Sequence, residues 1–542
     1  MTTPRTALVI GAGIAGPVAA MALRKAGIRP TIYEAHPSGA EGIGTFLTIA
    51  SNGIDALRAI GADQTALAAG FPTPTITLCS TTGKNLGTAR TGLTLPDGTT
   101  SHTLKRADLY QALYQEAARR GIDVQHGKRL TAAEPTGNGV RAVFDDGTDA
   151  AADVLIGTDG IHSTVRKLID PTAPAPTYIG LINLGGYARG VEVDAEPGSY
   201  TMIFGKRAFF GYVLTPSGEV WWFANIPRRD EPARGEAEAI TAAQWQARLA
   251  ALYAADAGPA ARLVEASDTA GISKASPIHS IPHLPFWHNG RMIVIGDAAH
   301  APTPTSGQGA SLSIEDTIVL AQCLRDLPTP EVAFTRFQAL RRPRVERIIK
   351  QAARINSSKT ATPLTRILRD ATLPAIMKMA ANSKQATAAY RYHIDWDTPP
   401  PPHTTTRPRP TQRTTGHLPV HTSPVVRHEL TLPPRQHALI DAGPRRWVRC
   451  RRLRQRRTRG AGAPGREQDV LPAPECHPPS PPTRPRHPSP AADRWAVAMI
   501  RAPNRQSVRS QGSSGAASSR VQMGGDRREQ VARLERAPPH IA

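Results

Sequence analysis

TALVIGAGIAG, residues 6–16, decides the fold of this 542-residue chain. Residues 6–10 form a short, apolar run rich in β-branched side chains, which predicts a buried strand. The glycine-rich turn leads into an Ala-rich stretch from Pro17 to Lys25, which predicts a helix. Pro17 fits this helix because an amide in the first turn has no intrahelical partner. The sequence therefore predicts a strand, a tight turn and a helix.

The glycines of this turn have the spacing of a dinucleotide-binding fingerprint. They permit the turn itself, the close approach of backbone to a pyrophosphate, and tight packing of the helix. The start of the helix also offers unpaired amides to the anion. Glu34 follows a second predicted strand, Thr31–Tyr33, where a carboxylate can accept from a ribose hydroxyl, which favours FAD or NAD over NADP. The residues expected to contact the dinucleotide here are Gly11, Gly13, Ile14, Ala15, Gly16 and Glu34.

The hydrophobic pattern changes along the rest of the chain. The α/β alternation continues with a helix over Arg106–Arg120 and a strand over Asp153–Gly157. Residues 176–282 carry aromatic and β-branched runs, which predict a mainly antiparallel sheet. Four prolines at 399–402 mark the expected end of the fold. Further predicted elements are strands over Tyr200–Phe204, Phe209–Leu214, Glu219–Ala224 and Met292–Ile295, and helices over Gly309–Arg325, Val332–Ala353 and Pro363–Ala381.

The last 142 residues differ in composition from the first 400. They hold 26 arginines, no lysine and 9 acidic residues, a net charge of +17 (26 minus 9) out of +22 for the whole chain. They also hold 22 of the 50 prolines and neither Phe nor Tyr, too little apolar surface to offset the entropy of ordering. We expect residues 398–542 to be a disordered tail, or a frame-shifted gene end. Arg445–Arg459 could serve as a nucleic-acid arm, but it lacks the interleaved aromatic residues of a base-stacking surface, so we do not expect a nucleic-acid partner.

Cysteine usage and hydropathy bear on the location of the protein. Cys79, Cys323, Cys450 and Cys476 lie far apart, without the spacing of a metal site or a disulfide framework. We find no charged-then-apolar signal segment before the first strand and no run of about 18 apolar residues that would predict a membrane span. These patterns predict a cytoplasmic protein with no bound metal and no membrane partner.

Three further motifs follow predicted strands or precede a predicted helix. DGIHSTVR (159–166) and GDAAH (296–300) both lie where an open parallel sheet binds its ligands. PTSGQG (304–309) places amide-rich backbone at the start of a long helix, suited to the pyrimidine edge of a flavin that carries negative charge. DGIHSTVR or GDAAH alone would be typical of an ordinary loop.

In this order and over residues 1 to about 397, the motifs resemble the class A flavoprotein monooxygenases, the para-hydroxybenzoate hydroxylase-like family. The resemblance implies a Rossmann-like FAD-binding domain with an inserted, mainly antiparallel β substrate domain. The implied domains are 1–175 and 283–397 for FAD, 176–282 for substrate, and 398–542 for the tail. Beyond the first fingerprint, the residues that the resemblance assigns to the cofactor are Arg106, Asp159, Gly160, Gly296, Asp297, Pro304, Gly307, Gln308 and Gly309.

The resemblance also implies an activity. NADH or NADPH would reduce FAD, O2 would form a C4a-hydroperoxyflavin, and one oxygen would pass to an aromatic or polyketide-like small molecule. Because the cofactor carries the chemistry, the sequence assigns no catalytic side chain. His300 could be a general base or could make a hydrogen bond at a helix start. The substrate is expected between the flavin loop and the 176–282 sheet, near Phe204, Phe209, Tyr212 and Trp222.

Three alternatives stay open at this point. A flavin-dependent halogenase would carry a W-x-W-x-I-P motif, which residues 222–227 approach with Ala224 in place of the second tryptophan. A flavin-linked oxidoreductase would not insert oxygen into its substrate. A noncatalytic nucleotide-binding regulator would use the basic tail. Arg341-Arg342-Pro343-Arg344 also resembles a family pattern, but a solvated basic helix face explains it equally well.

Overall fold

The computed structural model describes residues 4–38, 44–359, 363–380 and 387–401. Residues 402–542 of the predicted tail, including Cys450, Cys476 and Arg445–Arg459, lie outside the described residues. The described strands are β1 (Thr6–Ile10), β2 (Arg29–Glu34), β3 (Phe46–Ile49), β4 (Gly70–Pro72), β5 (Thr75–Ser80), β6 (Asn85–Arg90), β7 (His102–Lys105), β8 (Asp123–His126), β9 (Leu130–Pro135), β10 (Val140–Phe144), β11 (Asp149–Ala152), β12 (Val154–Gly157), β13 (Thr177–Ala188), β14 (Ser199–Phe204), β15 (Phe209–Leu214), β16 (Val220–Pro227), β17 (Ser276–Ser280), β18 (His288–Asn289) and β19 (Met292–Val294).

The described helices lie between these strands and after β19. They are α1 (Ala15–Lys25), α2 (Ser51–Arg58), α3 (Asp63–Ala68), α4 (Arg106–Arg119), α5 (Thr164–Ile169), α6 (Ala242–Tyr253), α7 (Ala260–Glu265), α8 (Gly309–Asp326), α9 (Pro330–Lys359) and α10 (Pro363–Ala380). Every described helix is too short or too polar to cross a bilayer. The predicted α/β class with a β insertion is confirmed.

A six-stranded sheet in the order β18-β19-β12-β1-β2-β8 organises the first part of the fold. Its strands run parallel except for the edge strand β18. Ile10, the last residue of β1, pairs with Gly157 on one side and Tyr33 on the other, and Gly157 pairs in turn with Val294. The carboxyl ends of these four neighbouring strands are therefore level, and the loops that follow them meet along one edge of the sheet.

A seven-stranded sheet in the order β17-β13-β16-β15-β14-β5-β6 forms the second part. It is mainly antiparallel, as predicted, but β5 joins β14 in parallel. The sheet thus extends beyond residues 176–282, because Thr75–Arg90 supplies two of its strands. The polar and Gly-containing run in β6 gave no clear strand pattern in the sequence.

One face of the seven-stranded sheet is covered by α6 and α7. Their apolar side chains, including Trp245, Leu249 and Leu263, form a core with the sheet. Thr241 and Gln244 form a reciprocal capping box at the start of α6. The T-x-x-Q spacing is a helix-start signal, so α6 was predictable from the sequence, although the β-rich surroundings masked it.

The C-terminal described elements pack over both parts of the fold. Leu373 of α10 joins an apolar cluster with Phe204 and Phe209 of the seven-stranded sheet. Farther along, the ring of Trp396 lies between Lys25, whose Nζ is 4.8 Å from the ring centroid, and the guanidinium of Arg325 at 4.7 Å. The segment 387–398 is therefore a packed part of the structure.

Candidate cofactor site

The turn after β1 is closed by the first and third glycines of its fingerprint. Gly11 has φ +100°, and a Cβ there would lie 2.8 Å from the carbonyl oxygen of Thr158. A Cβ on Gly16 would collide with the carbonyl oxygen of Gly11. A Cβ on Gly13, in contrast, would meet nothing within 4 Å. The turn is thus tight on its protein side and open at Gly13, where a ligand can approach the backbone.

The carboxylate of Glu34 fixes the same turn from the neighbouring strand. Its Oε2 accepts from the backbone N–H of Ala12 at 2.6 Å, and its Oε1 accepts from that of His36 at 2.9 Å. A carboxylate offers about four lone-pair sites, so it can still accept from a ligand hydroxyl. Among the described residues, no side chain caps the start of α1, which leaves its first amides available to an anion.

The loop after β12 is organised around Asp159. Its carboxylate accepts from the Ser163 hydroxyl at 2.5 Å and from the backbone N–H groups of Thr164 and Val165 at 2.7 and 3.1 Å. Burial raises the pKa of Asp159, and these hydrogen bonds oppose the rise. Gly160 has φ +74°, which favours glycine at this position.

Arg166 joins this loop to the loop after β19. Its buried guanidinium donates to the carbonyl oxygens of Ala298 at 2.9 Å and Ile161 at 2.7 Å. The last residue of the DGIHSTVR motif therefore bridges two of the predicted cofactor loops. Its neighbour in the motif, Ser163, caps α5 by accepting from the backbone N–H of Arg166.

Asp297 lies in the 3-10 turn Gly296–Ala298, within the loop after β19. Its side chain is solvent-accessible, yet protein surrounds it closely enough that desolvation raises its pKa, against the opposing charges of His300 and Arg106. A carboxylate that lines a concave cleft has both properties, since water reaches it from one side and protein surrounds the others. In the part of the chain that the structure describes, it accepts no hydrogen bond, so it is available to a ligand. Arg106, at the start of α4, lies on the same side.

The third loop, residues 304–309, turns into α8. Pro304–Ser306 form one 3-10 turn, and Gly307 has φ +58°. The side chain of Gln308 is buried and contacts Asn52 of α2, whose Nδ2 donates to the Gln308 Oε1 at 3.0 Å. Gln308 therefore presents its backbone rather than its side chain to the loop surface.

Two of these loops are anchored to one buried cluster of charges. Asp316 accepts from the backbone N–H of Gly296 at 3.0 Å and from Arg341 Nε at 2.6 Å. Arg341 also pairs with Glu315 at 2.7 Å, and Glu315 accepts from Asn52 at 2.6 Å. The side chains of Asp316, Glu315 and Arg341 are all fully buried. Arg341 thus supports the Gly296 loop through Asp316, and the Gln308 loop through Glu315 and Asn52.

This cluster corrects the alternative interpretation of the Arg-Arg-Pro-Arg run as a solvated basic face. Arg341 has no exposed surface, and Arg344 makes a bidentate pair with Glu315 at 2.7 and 2.8 Å. Burial alone would lower the pKa of Arg341, but the carboxylates of Glu315 and Asp316 raise it. Burial would likewise raise the pKa of Asp316, but His300 and Arg341 hold it at about 2.

His300 belongs to this cluster rather than to the open cleft. Its ring is buried, and its Nε2 lies 2.6 Å from a carboxylate oxygen of Asp316. Its backbone N–H donates to the carbonyl oxygen of Gly296. This placement favours a supporting hydrogen bond over the general-base role considered from the sequence.

The four aromatic residues predicted near the substrate lie on opposite faces of the seven-stranded sheet. Trp222 is fully buried, stacks on Phe210 and donates its indole N–H to Ser267 at 2.8 Å. Tyr212 lies in the same core, under α6 and α7. Since side chains alternate between faces along a strand, the residues next to these core positions face the other side of the sheet.

The other face carries Phe204 and Phe209, which form an edge-to-face pair with centroids 5.3 Å apart. Phe223 continues the row 6.2 Å from Phe209, and Phe46 of β3 lies 6.2 Å beyond Phe223. Because the backbone N–H of Arg106 donates to the carbonyl oxygen of Thr45, β3 links this aromatic row to the predicted cofactor residues. The row lies between β3 at one end and Leu373 of α10 at the other.

Sequence reasoning missed Asn52, Glu315 and Asp316. One signal was present: residues 315 and 316 place two adjacent acids inside the otherwise uncharged run SLSIEDTIVLAQCL (311–324). Buried carboxylates require partners, and the arginines at 341 and 344 were the unassigned charges of opposite sign. Asn52 had no such signal because it lies in an ordinary polar helix start.

Comparisons with known proteins agree with this geometry. A family model described as an FAD binding domain matches residues 5–352. The FAD-dependent urate hydroxylase of Klebsiella pneumoniae is 29% identical over 348 residues, which cover 64% of this chain and 88% of the relative. The 6-hydroxynicotinate 3-monooxygenase of Pseudomonas fluorescens is 30% identical over 366 residues, 64% of this chain and 89% of the relative. The structure of Klebsiella pneumoniae HpxO complexed with FAD and uric acid matches with a TM-score of 0.63 and 26% identity, over 70% of this chain and 96% of that one.

The pH dependence of stability tests the buried cluster. Because the folded pKa of Asp316 lies below its ordinary value, its stabilisation is present above about pH 4 and is lost as pH falls through about 2. The difference in unfolding free energy between the parent and Asp316→Asn should therefore shrink by about 2 kcal/mol between pH 6 and pH 2. Urea unfolding across this range measures it, with Asp268→Asn, an exposed aspartate, as the control. A difference that stays constant with pH would contradict the assignment.

Proposed function

The chain belongs to the FAD-binding domain family and is an FAD-dependent monooxygenase, and from that premise we propose that it uses NADH or NADPH and O2 to hydroxylate a planar aromatic small molecule. The observation that carries the proposal is the meeting of three loops, at Gly11, Asp159 and Asp297, along one edge of the parallel sheet. Family membership sets aside the noncatalytic regulator considered from the sequence.

The residues at this edge fit FAD. The open space at Gly13 and the uncapped start of α1 suit the pyrophosphate. Glu34 lies where the adenosine ribose would donate a hydroxyl hydrogen. Asp297 offers a carboxylate to the ribitol hydroxyls, and Arg106 lies near it as a charge partner. The loop 304–309 would present its backbone to the isoalloxazine ring.

The remaining assignments in the proposed site follow from the same loops. Ile14 and Ala15 lie in the fingerprint turn, while Asp159 and Gly160 shape the loop between the fingerprint and Asp297. Pro304, Gly307 and Gly309 define the turn before α8. The proposed FAD contacts are Gly11, Gly13, Ile14, Ala15, Gly16, Glu34, Arg106, Asp159, Gly160, Gly296, Asp297, Pro304, Gly307, Gln308 and Gly309.

FAD, when bound, supplies the redox chemistry by accepting a hydride from the reduced nicotinamide and activating O2 for insertion into the substrate. The protein binds the cofactor, orients it against the substrate and excludes water. Binding depends on amides and carboxylates at the sheet edge. Orientation depends on the buried cluster around Arg341, which keeps the Gly296 and Gln308 loops in place.

We assign the substrate to the aromatic face of the seven-stranded sheet. Phe209 and Phe223 lie between β3, which adjoins the proposed cofactor residues, and α10. The rings of such residues favour offset or edge-on contact with another aromatic ring. Tyr212 and Trp222 pack into the opposite core, so the proposed pocket retains only Phe204 and Phe209 of the four residues predicted from the sequence.

The names of the relatives support a ring substrate. Urate and 6-hydroxynicotinate, after which two relatives are named, are both planar nitrogen heteroaromatic compounds. An electron-rich ring of this kind, which FAD-activated oxygen can attack, fits a face made of aromatic side chains. We therefore extend the proposed substrate class to hydroxylated heteroaromatic rings.

The direct test measures NADH and NADPH oxidation and O2 uptake by the FAD-loaded full chain, with a panel of phenols and hydroxylated heteroaromatic compounds. We expect one class to accelerate both rates and to yield a product that carries one atom from labelled O2. Substrate-dependent turnover without label in the product would instead support a flavin-linked oxidoreductase. Binding of FAD without any response to the panel or to reduced nicotinamide would contradict the proposal.

Replacement of Asp297 tests its proposed contact with the ribitol chain. Asp297→Ala should raise the Kd for FAD by roughly 10- to 100-fold, because a hydrogen bond to a charged group contributes about 1.5–3 kcal/mol. Titration of the flavin-free protein with FAD, followed by flavin fluorescence, measures the change. The Kd of Asp297→Asn should lie between those of the parent and Asp297→Ala, whereas the Kd of Asp268→Ala should match that of the parent. An unchanged Kd in Asp297→Ala would remove this residue from the site.

Two adjacent phenylalanines provide a matched pair for the substrate face. Phe209 faces the aromatic row, and Phe210 faces the core under α6 and α7. Phe209→Leu should raise the KM for the substrate about tenfold, since loss of a fitted apolar contact in a pocket is worth about 1–3 kcal/mol. Phe210→Leu should lower the unfolding free energy and leave KM unchanged. Equal effects of both variants on KM would place the substrate elsewhere.

A further inference from the structure

Asn52 occupies an unusual position between the buried charge cluster and the loop before α8. It is the second residue of α2 and is 1% exposed. Its Nδ2 donates to Gln308 Oε1 at 3.0 Å and to Glu315 Oε1 at 2.6 Å. Its Oδ1 accepts from Gln308 Nε2 at 3.4 Å. One neutral amide therefore connects a buried carboxylate with both polar atoms of the Gln308 side chain.

Gln308 is the residue immediately before α8, in the N-cap position. Short polar side chains in that position commonly accept from the first amides of the helix. Here the Gln308 side chain is turned toward Asn52, and among the described residues no side chain caps α8. The first-turn amides of α8, which begin at Gly309, thus keep their hydrogens available at the loop surface.

These amides lie beside the loop that the proposed function assigns to the isoalloxazine ring. Backbone N–H groups at a helix start, together with the helix dipole, favour negative charge. Reduction of a bound flavin places negative charge at its pyrimidine edge, so these amides would favour the reduced form of FAD over the oxidised form.

We propose that Asn52 is a positioning residue for FAD: by holding the side chain of Gln308, it keeps the first-turn amides of α8 free and directed at the pyrimidine edge of the flavin. Glu315 supports this role because its pairs with Arg341 and Arg344 fix its carboxylate against the amide of Asn52. The inference rests on the proposed placement of FAD. It adds that Asn52, acting through Gln308, controls the redox potential of the cofactor.

The test uses Asn52→Leu, which replaces the amide with an apolar side chain of similar size and removes all three hydrogen bonds. The midpoint potential of the bound FAD should become more negative, because the released Gln308 side chain accepts from the first-turn amides of α8 in place of the flavin. The Kd for FAD should rise about fivefold, the change expected for one buried hydrogen bond. Dye equilibration measures the potential, and fluorescence titration measures the Kd.

Ser101→Ala is the matched control. The Ser101 hydroxyl accepts from the backbone N–H of Ser51, the neighbour of Asn52, at 3.2 Å, and it has no bond to Gln308. This variant should weaken the same end of α2 and leave the potential unchanged. An equal shift of the potential in Ser101→Ala would mean that Asn52 acts through general stability, which would overturn the inference.

A double-variant comparison separates positioning from packing. If Asn52 acts by holding the Gln308 side chain away from the amides, then Gln308→Ala, which removes that side chain, should leave the potential near that of the parent, and Asn52→Leu should not shift the potential in the Gln308→Ala background. A shift of the potential by Asn52→Leu in the Gln308→Ala background would overturn the inference, as would a potential that Asn52→Leu alone leaves unchanged in flavin-loaded protein. If Asn52→Leu fails to fold, Asn52→Ala, which removes the same hydrogen bonds, takes its place, and an unchanged potential in that variant overturns the inference. A parent protein that binds no FAD would overturn the proposed function itself, and this inference with it.

Discussion

The buried set of Asp316, Arg341 and Glu315 is the constraint on which the proposed site depends. Transfer of each charge into the protein interior costs several kcal/mol, which mutual pairing must offset. Asp316 and Glu315 are adjacent in α8, so a single arginine from α9 can pair with both. Asp316 also accepts from the backbone of Gly296, and Glu315 also accepts from Asn52. The ion pairs therefore fix the positions of the Gly296 and Gln308 loops.

The C-terminal described segment completes this arrangement. The ring of Tyr392 lies against the guanidinium groups of Arg341 and Arg344, at 5.0 and 4.5 Å, and the carbonyl oxygen of Ala389 accepts from Arg344. Such contacts favour the charged guanidinium and limit access of water to the pairs. A family of oxidoreductases that leaves its chemistry to the cofactor still needs a rigid frame around it, and here that frame extends from the first turn of α2 to residue 392.

Much of the fold follows from local patterns. β1, β15 and α8 begin where the sequence predicts, because an apolar run bounded by glycine or proline leaves few alternatives. The turns of the site motifs were predictable for a related reason: Gly11 and Gly307 have positive φ, which favours glycine. The faces of β15 and β16 were not predictable, since Phe209 and Phe210 are chemically identical and only register separates them. Asn52 was beyond reach because its partner, Glu315, lies 263 residues away in the chain.

The central claim is that three loops from separate parts of the chain receive one FAD molecule at the edge of the parallel sheet. Hydrogen–deuterium exchange of the flavin-free protein, with and without added FAD, tests this claim most directly. Residues 11–16, 159–166 and 296–309 should all gain protection together when FAD binds. Protection confined to residues 11–16, or appearing at segments remote from this edge, would contradict it.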